Sequence, residues 1–219
     1  MPGLTRRVAI AAAAGLAAGF GASVSAAPVR AGWVAAPGDM NLGNPRARVR
    51  VVEYMSLTCA HCAHFNSEVF PAFKTRYIDT GRVFYTAREL LTVPAQVAAA
   101  GVMMARCNGG TRYFPIIDQV LRSQSRWQGG DIKSIFLDIA KANGLTEAQF
   151  EACLVDEKAL TALEDRVQYA TGTDKVTSTP TFFVNGVMMN NNSVPTLADM
   201  DVAIVRAMKA AARQPGGGR

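Results

Sequence analysis

Two cysteines two residues apart, Cys59-Ala60-His61-Cys62, fall where the hydrophobic period of the chain changes. Before them, Val49 to Met55 is a short run rich in β-branched residues, which predicts a core strand. After them, Phe65, Val69, Phe73 and Tyr77 recur every four residues, so one face of a helix running from Cys62 to about Thr80 is apolar. Pro71 lies inside that helix and is expected to kink it. Gly81 stops it, and Val83 to Ala87 reads as a second strand. The pattern is strand, helix, strand, with the paired cysteines at the strand-to-helix turn.

The remainder of the chain fits around this unit. Residues 27–48 form a polar lead-in with turn signals at Pro37-Gly38 and Gly43-Asn44-Pro45. From about 92 to 171 there is no strand signal. Thr92 and Pro94 open a helix that ends at Asn108-Gly109-Gly110. Further helices are expected near 113–124, 131–142, 146–154 and 157–171, with Asn143-Gly144 ending the second of these four and Thr146 with Gln149 forming a capping box. Thr181 to Val184 reads as a strand, Asn185-Gly186 as a type I′ turn and Val187 to Met189 as the partner strand. Thr196 caps a last helix to about Ala212. The chain is therefore α/β, with one sheet built from residues 27–90 and 173–213 and an α-helical domain inserted at 91–172. Residues 214–219 are a frayed tail.

The first 26 residues read as a cleaved signal peptide rather than as fold. Arg6 and Arg7 are its positive region, Val8 to Gly21 its apolar stretch, and Val24-Ser25-Ala26 its cleavage site. Thr5-Arg6-Arg7-Val8-Ala9-Ile10 partly matches a twin-arginine signal. The net charge of +6 falls to +4 once Arg6 and Arg7 leave. No cluster of Lys and Arg with interleaved aromatics supports nucleic-acid binding. Export places the four cysteines, Cys59, Cys62, Cys107 and Cys153, in an oxidising compartment, where an even count invites pairing.

Two spacer residues let both sulfurs meet across the first turn of a helix. The first cysteine then lies at the helix N-terminus, where free N–H groups and the dipole favour its thiolate. Only the thiolate attacks a disulfide, so the geometry activates Cys59 and leaves Cys62 as its pair. A zinc half-site is the competing use of this motif. Two other features favour redox chemistry. Thr179-Pro180 precedes a strand about 120 residues later. A cis proline there would set its backbone beside the sulfurs, open to an extended substrate; an ordinary strand-entry proline is the alternative. Glu53, six residues before Cys59 in Val51-Val52-Glu53-Tyr54, should be buried and perturbed.

These residues carry a resemblance. Glu53-Tyr54-Met55-Ser56-Leu57-Thr58-Cys59-Ala60-His61-Cys62 and Thr177-Ser178-Thr179-Pro180-Thr181-Phe182-Phe183-Val184-Asn185-Gly186 are similar to the corresponding stretches of DsbA-type periplasmic thiol–disulfide oxidoreductases, over roughly residues 38–210. The resemblance implies a thioredoxin fold with an inserted helical domain. It implies donation of the Cys59–Cys62 disulfide to reduced, newly exported proteins, and reoxidation by a quinone-coupled membrane oxidase of the DsbB kind. Cys59 would be the nucleophile and Cys62 the resolving thiol. His61 would stabilise the Cys59 thiolate, Thr179 and Pro180 would contact substrate, and Glu53 would relay a proton to or from Cys62. The family usually carries proline where this chain has Ala60, which bears on how strong an oxidant the pair is. The chain is expected to be a monomer with neither metal nor bound cofactor, its redox group being the cysteine pair.

Cys107 and Cys153 fall in two different helices of the insert. A structural disulfide between them would be worth about 4 kcal/mol on the chain-entropy model; two buried free thiols are the alternative. Arg88 stands either as a basic partner of Glu53 or in a surface salt bridge. His64 reads as a solvated helix residue, although Cys59, Cys62, His61 and His64 together would make a compact metal site. Val102, Met103 and Met104 read as core rather than as a substrate groove, and Phe114, Ile117, Val120 and Leu121 likewise. Trp127 has no assignment. A reductase or isomerase on the same scaffold, a metal-handling protein and a binding module with idle cysteines are the other functional readings.

Overall fold

The computed structural model describes residues 35–127, 129–189 and 193–213. The signal peptide and the C-terminal tail expected from the sequence lie outside these residues. Five strands, β1 (Met40–Gly43), β2 (Val49–Met55), β3 (Val83–Glu89), β4 (Thr181–Val184) and β5 (Val187–Met188), form one sheet in the order β1-β3-β2-β4-β5. β2 and β3 run parallel, and the other pairs are antiparallel. The two ends of the chain thus share one sheet, with β4 entering beside β2 although Thr181 follows its partner Tyr54 by 127 residues.

The helical stretch after the cysteines is one rod from 60 to 78 with two π turns: α1 (Ala60–His64), a π turn at Phe65–Val69, α2 (Phe70–Phe73) and a second π turn at Lys74–Ile78. Pro71 sits in the first turn of α2. It has no N–H to continue the ladder, and the wider π turn before it takes up the lost bond. Phe65, Val69, Phe73 and Tyr77 are buried on the sheet.

Strand alternation divides the sheet into two faces. Val49, Val51 and Met55 join the 60–78 rod and α8 (Leu197–Arg213), through Met200 and Ile204, in the main core. Val52 and Tyr54 on the other face pack with Leu90, Ala170 and Val176.

Between β3 and β4 lie α3 (Ala95–Arg106), α4 (Tyr113–Ser123), α5 (Ile132–Ala142), α6 (Glu147–Leu154) and α7 (Glu157–Gly172). The Thr146–Gln149 capping box is present at the start of α6. Val102, Met103, Met104, Ile117, Val120 and Leu121 are buried in the core, as their spacing suggested. Trp127 donates its indole N–H to Ser123 Oγ at 2.9 Å and meets Phe136 edge-on. Buried Glu89 fastens this helical region to the sheet: its carboxylate accepts from Arg106 Nε at 2.7 Å, Tyr113 Oη at 2.8 Å and Arg166 Nε at 3.0 Å.

The strand β1 corrects the reading of residues 27–48 as lead-in without strand. Its four residues alternate half-buried Met40 and Leu42 with exposed Asn41 and Gly43, too short a pattern to read alone, and pairing with the edge of β3 makes it a strand. Gly43 ends it at φ +92, where a Cβ would stand 2.6 Å from the Val83 carbonyl oxygen.

Candidate active site

β2 ends at Met55, and Ser56, Leu57 and Thr58 lead into the helix. Cys59 is the N-cap of α1, in extended conformation at φ −86 and ψ 118. It is half-buried, Ala60 and His61 are exposed, and Cys62 is fully buried. The apolar helix face thus pulls Cys62 into the core while the N-cap position leaves Cys59 at the surface. Both are unlinked thiols here.

The register of β4 on β2 pairs Tyr54 with Thr181. This brings the two preceding residues, joined by a cis Thr179–Pro180 peptide, against Cys59. Cys59 Sγ lies 3.3 Å from the Thr179 carbonyl oxygen. Pro180 is buried. The Thr179 hydroxyl oxygen is buried without a hydrogen-bond partner.

The two thiols are pushed apart electrostatically. Cys59 is lowered from 9.0 to about 5, first by its hydrogen bond with Cys62, against the cost of burial, and further by Thr179 and by the backbone N–H groups of Cys62 and His61. The Thr179 carbonyl, as acceptor of the S–H, favours the thiol. Cys62 is raised, by burial first, then by its hydrogen bond to Cys59 and the charge of Glu53.

Glu53 lies in the middle of β2, between β3 and β4, and is 3% exposed. Its Oε2 accepts from Tyr85 Oη at 2.6 Å. Burial raises its carboxyl to about 7, against the stabilising Tyr85 bond, and the nearby Cys59 charge adds to the rise.

Several residues that frame the turn were not read from the sequence as part of the site. Thr92 N–H donates to Ser56 Oγ at 3.0 Å, and Thr58 Oγ1 donates to the Thr92 carbonyl at 2.9 Å. A second cis peptide, Val93–Pro94, follows directly. Gln124, at the end of α4, donates from Nε2 to the carbonyls of Leu57 at 2.7 Å and Cys59 at 3.2 Å.

Arg88 departs from both expectations. It pairs with Tyr54 in the β2–β3 register, and so lies on the sheet face opposite Glu53. Nor is it a surface residue: its guanidinium is buried between Asp39, at 2.6 Å, and Asp174, at 2.9 Å. Cys107 and Cys153 are joined by a disulfide spanning 46 residues. His64 is exposed, and among the described residues no three His, Cys, Asp or Glu side chains are grouped to hold a metal ion. Among the described residues no helix is long and apolar enough to cross a membrane.

A family profile described as thioredoxin matches residues 35–204. A relative named as a protein-disulfide oxidoreductase in Rickettsia bellii is 36% identical over 169 residues, covering 76% of this chain and 64% of the relative. One of the same name in Rickettsia conorii is 34% identical over 162 residues, covering 73% of this chain and 58% of the relative. The chain thus spans less than two thirds of either relative's length. The crystal structure of alpha-DsbA1 from Wolbachia pipientis superposes with a TM-score of 0.73 at 27% identity, covering 82% of this chain and 95% of that one. BdbD from Bacillus subtilis, at 20% identity and a TM-score of 0.68, shares the fold, covering 82% of this chain and 97% of its own. With a paired-cysteine turn, a facing proline loop and a helical insert in one sheet frame, the chain belongs to the thioredoxin family, as a DsbA-like member.

Proposed function

We propose that this chain is an exported, periplasmic thiol–disulfide oxidase that donates the Cys59–Cys62 disulfide to newly exported proteins. The observation that carries this reading is the asymmetry of the pair: a half-exposed Cys59 held near 5 beside a buried Cys62 held above the ordinary thiol range. A low thiolate pKa at Cys59 stabilises the reduced protein and makes its disulfide oxidising.

The steps follow from this geometry. A substrate thiolate attacks Cys59 Sγ of the disulfide. The Cys59–Cys62 bond breaks, a mixed disulfide forms, and Cys62 leaves as a thiolate. Cys62 strongly favours the thiol, so it takes a proton; Glu53, near 7, is the buried group poised to supply one. A second substrate thiolate then attacks the substrate sulfur of the mixed disulfide. Cys59 leaves as a stable thiolate, and the substrate departs with a disulfide, two electrons having passed to the cysteine pair. Thr179 and Pro180 offer the backbone edge on which an extended substrate would pair, and His61 is the exposed neighbour assisting the Cys59 thiolate. A quinone-coupled membrane oxidase of the DsbB kind would withdraw the two electrons. The cysteine pair is itself the redox group, with neither cofactor nor metal, and the protein acts as a monomer.

The deciding experiment is the reduction potential of Cys59–Cys62, by equilibration with glutathione in a variant lacking Cys107 and Cys153. The oxidase reading expects a value near the strong-oxidant end, about −120 mV. A value near about −270 mV would make the chain a reductase. Cys62→Ser should trap mixed disulfides with substrates, and Cys59→Ser should abolish transfer.

A further inference from the structure

One side chain of the inserted helical region, Gln124, reaches the backbone of the Cys59 turn directly. Leu57 and Cys59 present carbonyl oxygens, which only accept, so the Gln124 end that reaches both must be its NH2 group. Both amide protons are spent on this turn. The Cys59 carbonyl already receives the Ala63 N–H at 3.1 Å, as the first intrahelical bond of α1, and Gln124 supplies its second donor.

Gln124 is itself held. It lies in the 3₁₀ turn Gln124–Arg126 that ends α4, and its own carbonyl accepts the Trp127 N–H at 3.2 Å. Trp127 is tied back to Ser123 at 2.9 Å, and Ser123 Oγ donates to the Val120 carbonyl at 2.7 Å. A second link runs parallel: Asn66 Nδ2, one helical turn past Cys62, donates to Asp118 Oδ1 on α4 at 2.8 Å. The reactive turn and α4 are therefore joined by two side-chain links.

We propose that Gln124 is a positioning residue for thiol–disulfide exchange, through which the helical insert fixes the Leu57–Cys59 turn and sets the charge balance at the Cys59 sulfur. The physical reason is the sign of the groups. Two carbonyl oxygens close in sequence to the sulfur carry partial negative charge, and a donor on each draws that charge away from the thiolate. Without Gln124 the Leu57 carbonyl loses this donor, the Cys59 carbonyl keeps only the Ala63 N–H, and the N-cap conformation loosens. The thiolate then loses stabilisation, and the pair becomes less oxidising.

This proposal rests on the exchange chemistry assigned to Cys59 and Cys62, and the test separates the two. Full-length wild type, Gln124→Leu and Gln124→Glu are equilibrated with glutathione, so that dithiol plus oxidised glutathione gives protein disulfide plus two reduced glutathiones. The Cys59 thiolate is titrated by its ultraviolet absorbance. Gln124→Leu should shift the redox equilibrium about tenfold toward the protein disulfide, about 30 mV more reducing, and move the thiolate midpoint up. Gln124→Glu, equal in size but an acceptor where a donor is needed, should shift both further. Loss of the fold would itself raise the midpoint toward the free-thiol value, so both readouts are taken where circular dichroism shows each variant folded. An unchanged equilibrium and midpoint in the folded variants would overturn the proposal and leave Gln124 as packing. Absence of exchange in the wild type would instead overturn the exchange reading itself.

Discussion

Cys59 Sγ stands 3.3 Å from the carbonyl oxygen of Thr179, the residue on the far side of a cis peptide from Pro180. The reactive sulfur therefore sits against a backbone edge rather than in open solvent, with its buried pair behind it. Its thiol is lowered to about 5, chiefly by the hydrogen bond with Cys62. The alkylation rate of the reduced protein should accordingly rise with pH through a midpoint near 5 and be flat at neutral pH. At pH 7 Cys59 carries about 30-fold more thiolate than a free cysteine would. Mass mapping after brief alkylation should find the label on Cys59 and not on Cys62. The sign for stability follows. A depressed pKa contributes stability that is complete above the unfolded thiol value and lost as pH falls through about 5. The dithiol form should thus gain in melting temperature with rising pH across that window; a midpoint near the free-thiol value would refute the assignment.

Glu53 gives a pH dependence of the opposite sign. Its carboxyl is raised from 4.5 to about 7, mainly by burial. The folded chain holds a proton there that the unfolded chain releases, so this contribution is full below about 4.5 and is lost as pH rises through about 7. Glu53→Gln keeps an acceptor for Tyr85 without the buried charge. It should match the wild type at low pH and be more stable above pH 7, by up to about 3 kcal/mol. On the proposed role of Glu53 as the proton source for Cys62, disulfide transfer should slow as well. Denaturant titrations at pH 4.5 and 8 measure the first effect and single-turnover transfer the second.

Much of this could be read from the chain because it was written locally. The four-residue spacing of Phe65, Val69, Phe73 and Tyr77 gave the helix, and the Thr146–Gln149 pair gave a cap. Cys59, Cys62, Thr179 and Pro180 were recognisable because each needs a particular residue type at a fixed place on a strand or helix end. What escaped was held by distant partners. β1 offers only Met40 and Leu42 as an alternating pair, too short to announce a strand without its hydrogen bonds to β3. Arg88 was expected at the surface because arginine usually is; Asp39 and Asp174, 49 residues before it and 86 after, make burial tolerable. Gln124 binds two backbone carbonyls 67 and 65 residues away, and such a contact leaves no periodic trace.

The Cys107–Cys153 disulfide closes a loop of 46 residues within the helical region. Cys107 follows α3 directly and Cys153 lies in α6. Removing the pair as Cys107→Ala with Cys153→Ala restores entropy to the unfolded chain, about 4 kcal/mol on the loop-closure model. Thermal unfolding should show a lower midpoint for the double variant. The Cys59 thiolate midpoint should stay in place, because the bond ties the end of α3 to α6 and not to the Leu57–Cys59 turn. A shift of that midpoint would show that the disulfide acts on the redox site through α3.

Arg88 anchors the approach to the proline loop. Its guanidinium takes Asp39 through Nε at 2.6 Å and Nη2 at 2.9 Å, in a two-pronged bond, and reaches Asp174 through Nη1 at 2.9 Å. The same Nη1 donates to Tyr54 Oη at 2.8 Å, and Tyr54 Oη in turn donates to Asp174. Asp174 opens the segment that runs through Lys175, held at φ +55, to Thr179 and Pro180. Cutting the guanidinium out leaves two carboxylates largely buried without their counter-charge, which costs far more than an intact pair contributes. Arg88→Met should lower stability by about 3 kcal/mol. Arg88→Lys keeps the charge but not the planar fork, and should recover only part of that loss. Because Asp174 is freed along with its segment, Arg88→Met should also loosen the Thr179 contact and shift the Cys59 thiolate midpoint. Urea unfolding of the three proteins checks the first effect and ultraviolet thiolate titration the second; loss of stability with an unmoved midpoint would confine Arg88 to holding the fold.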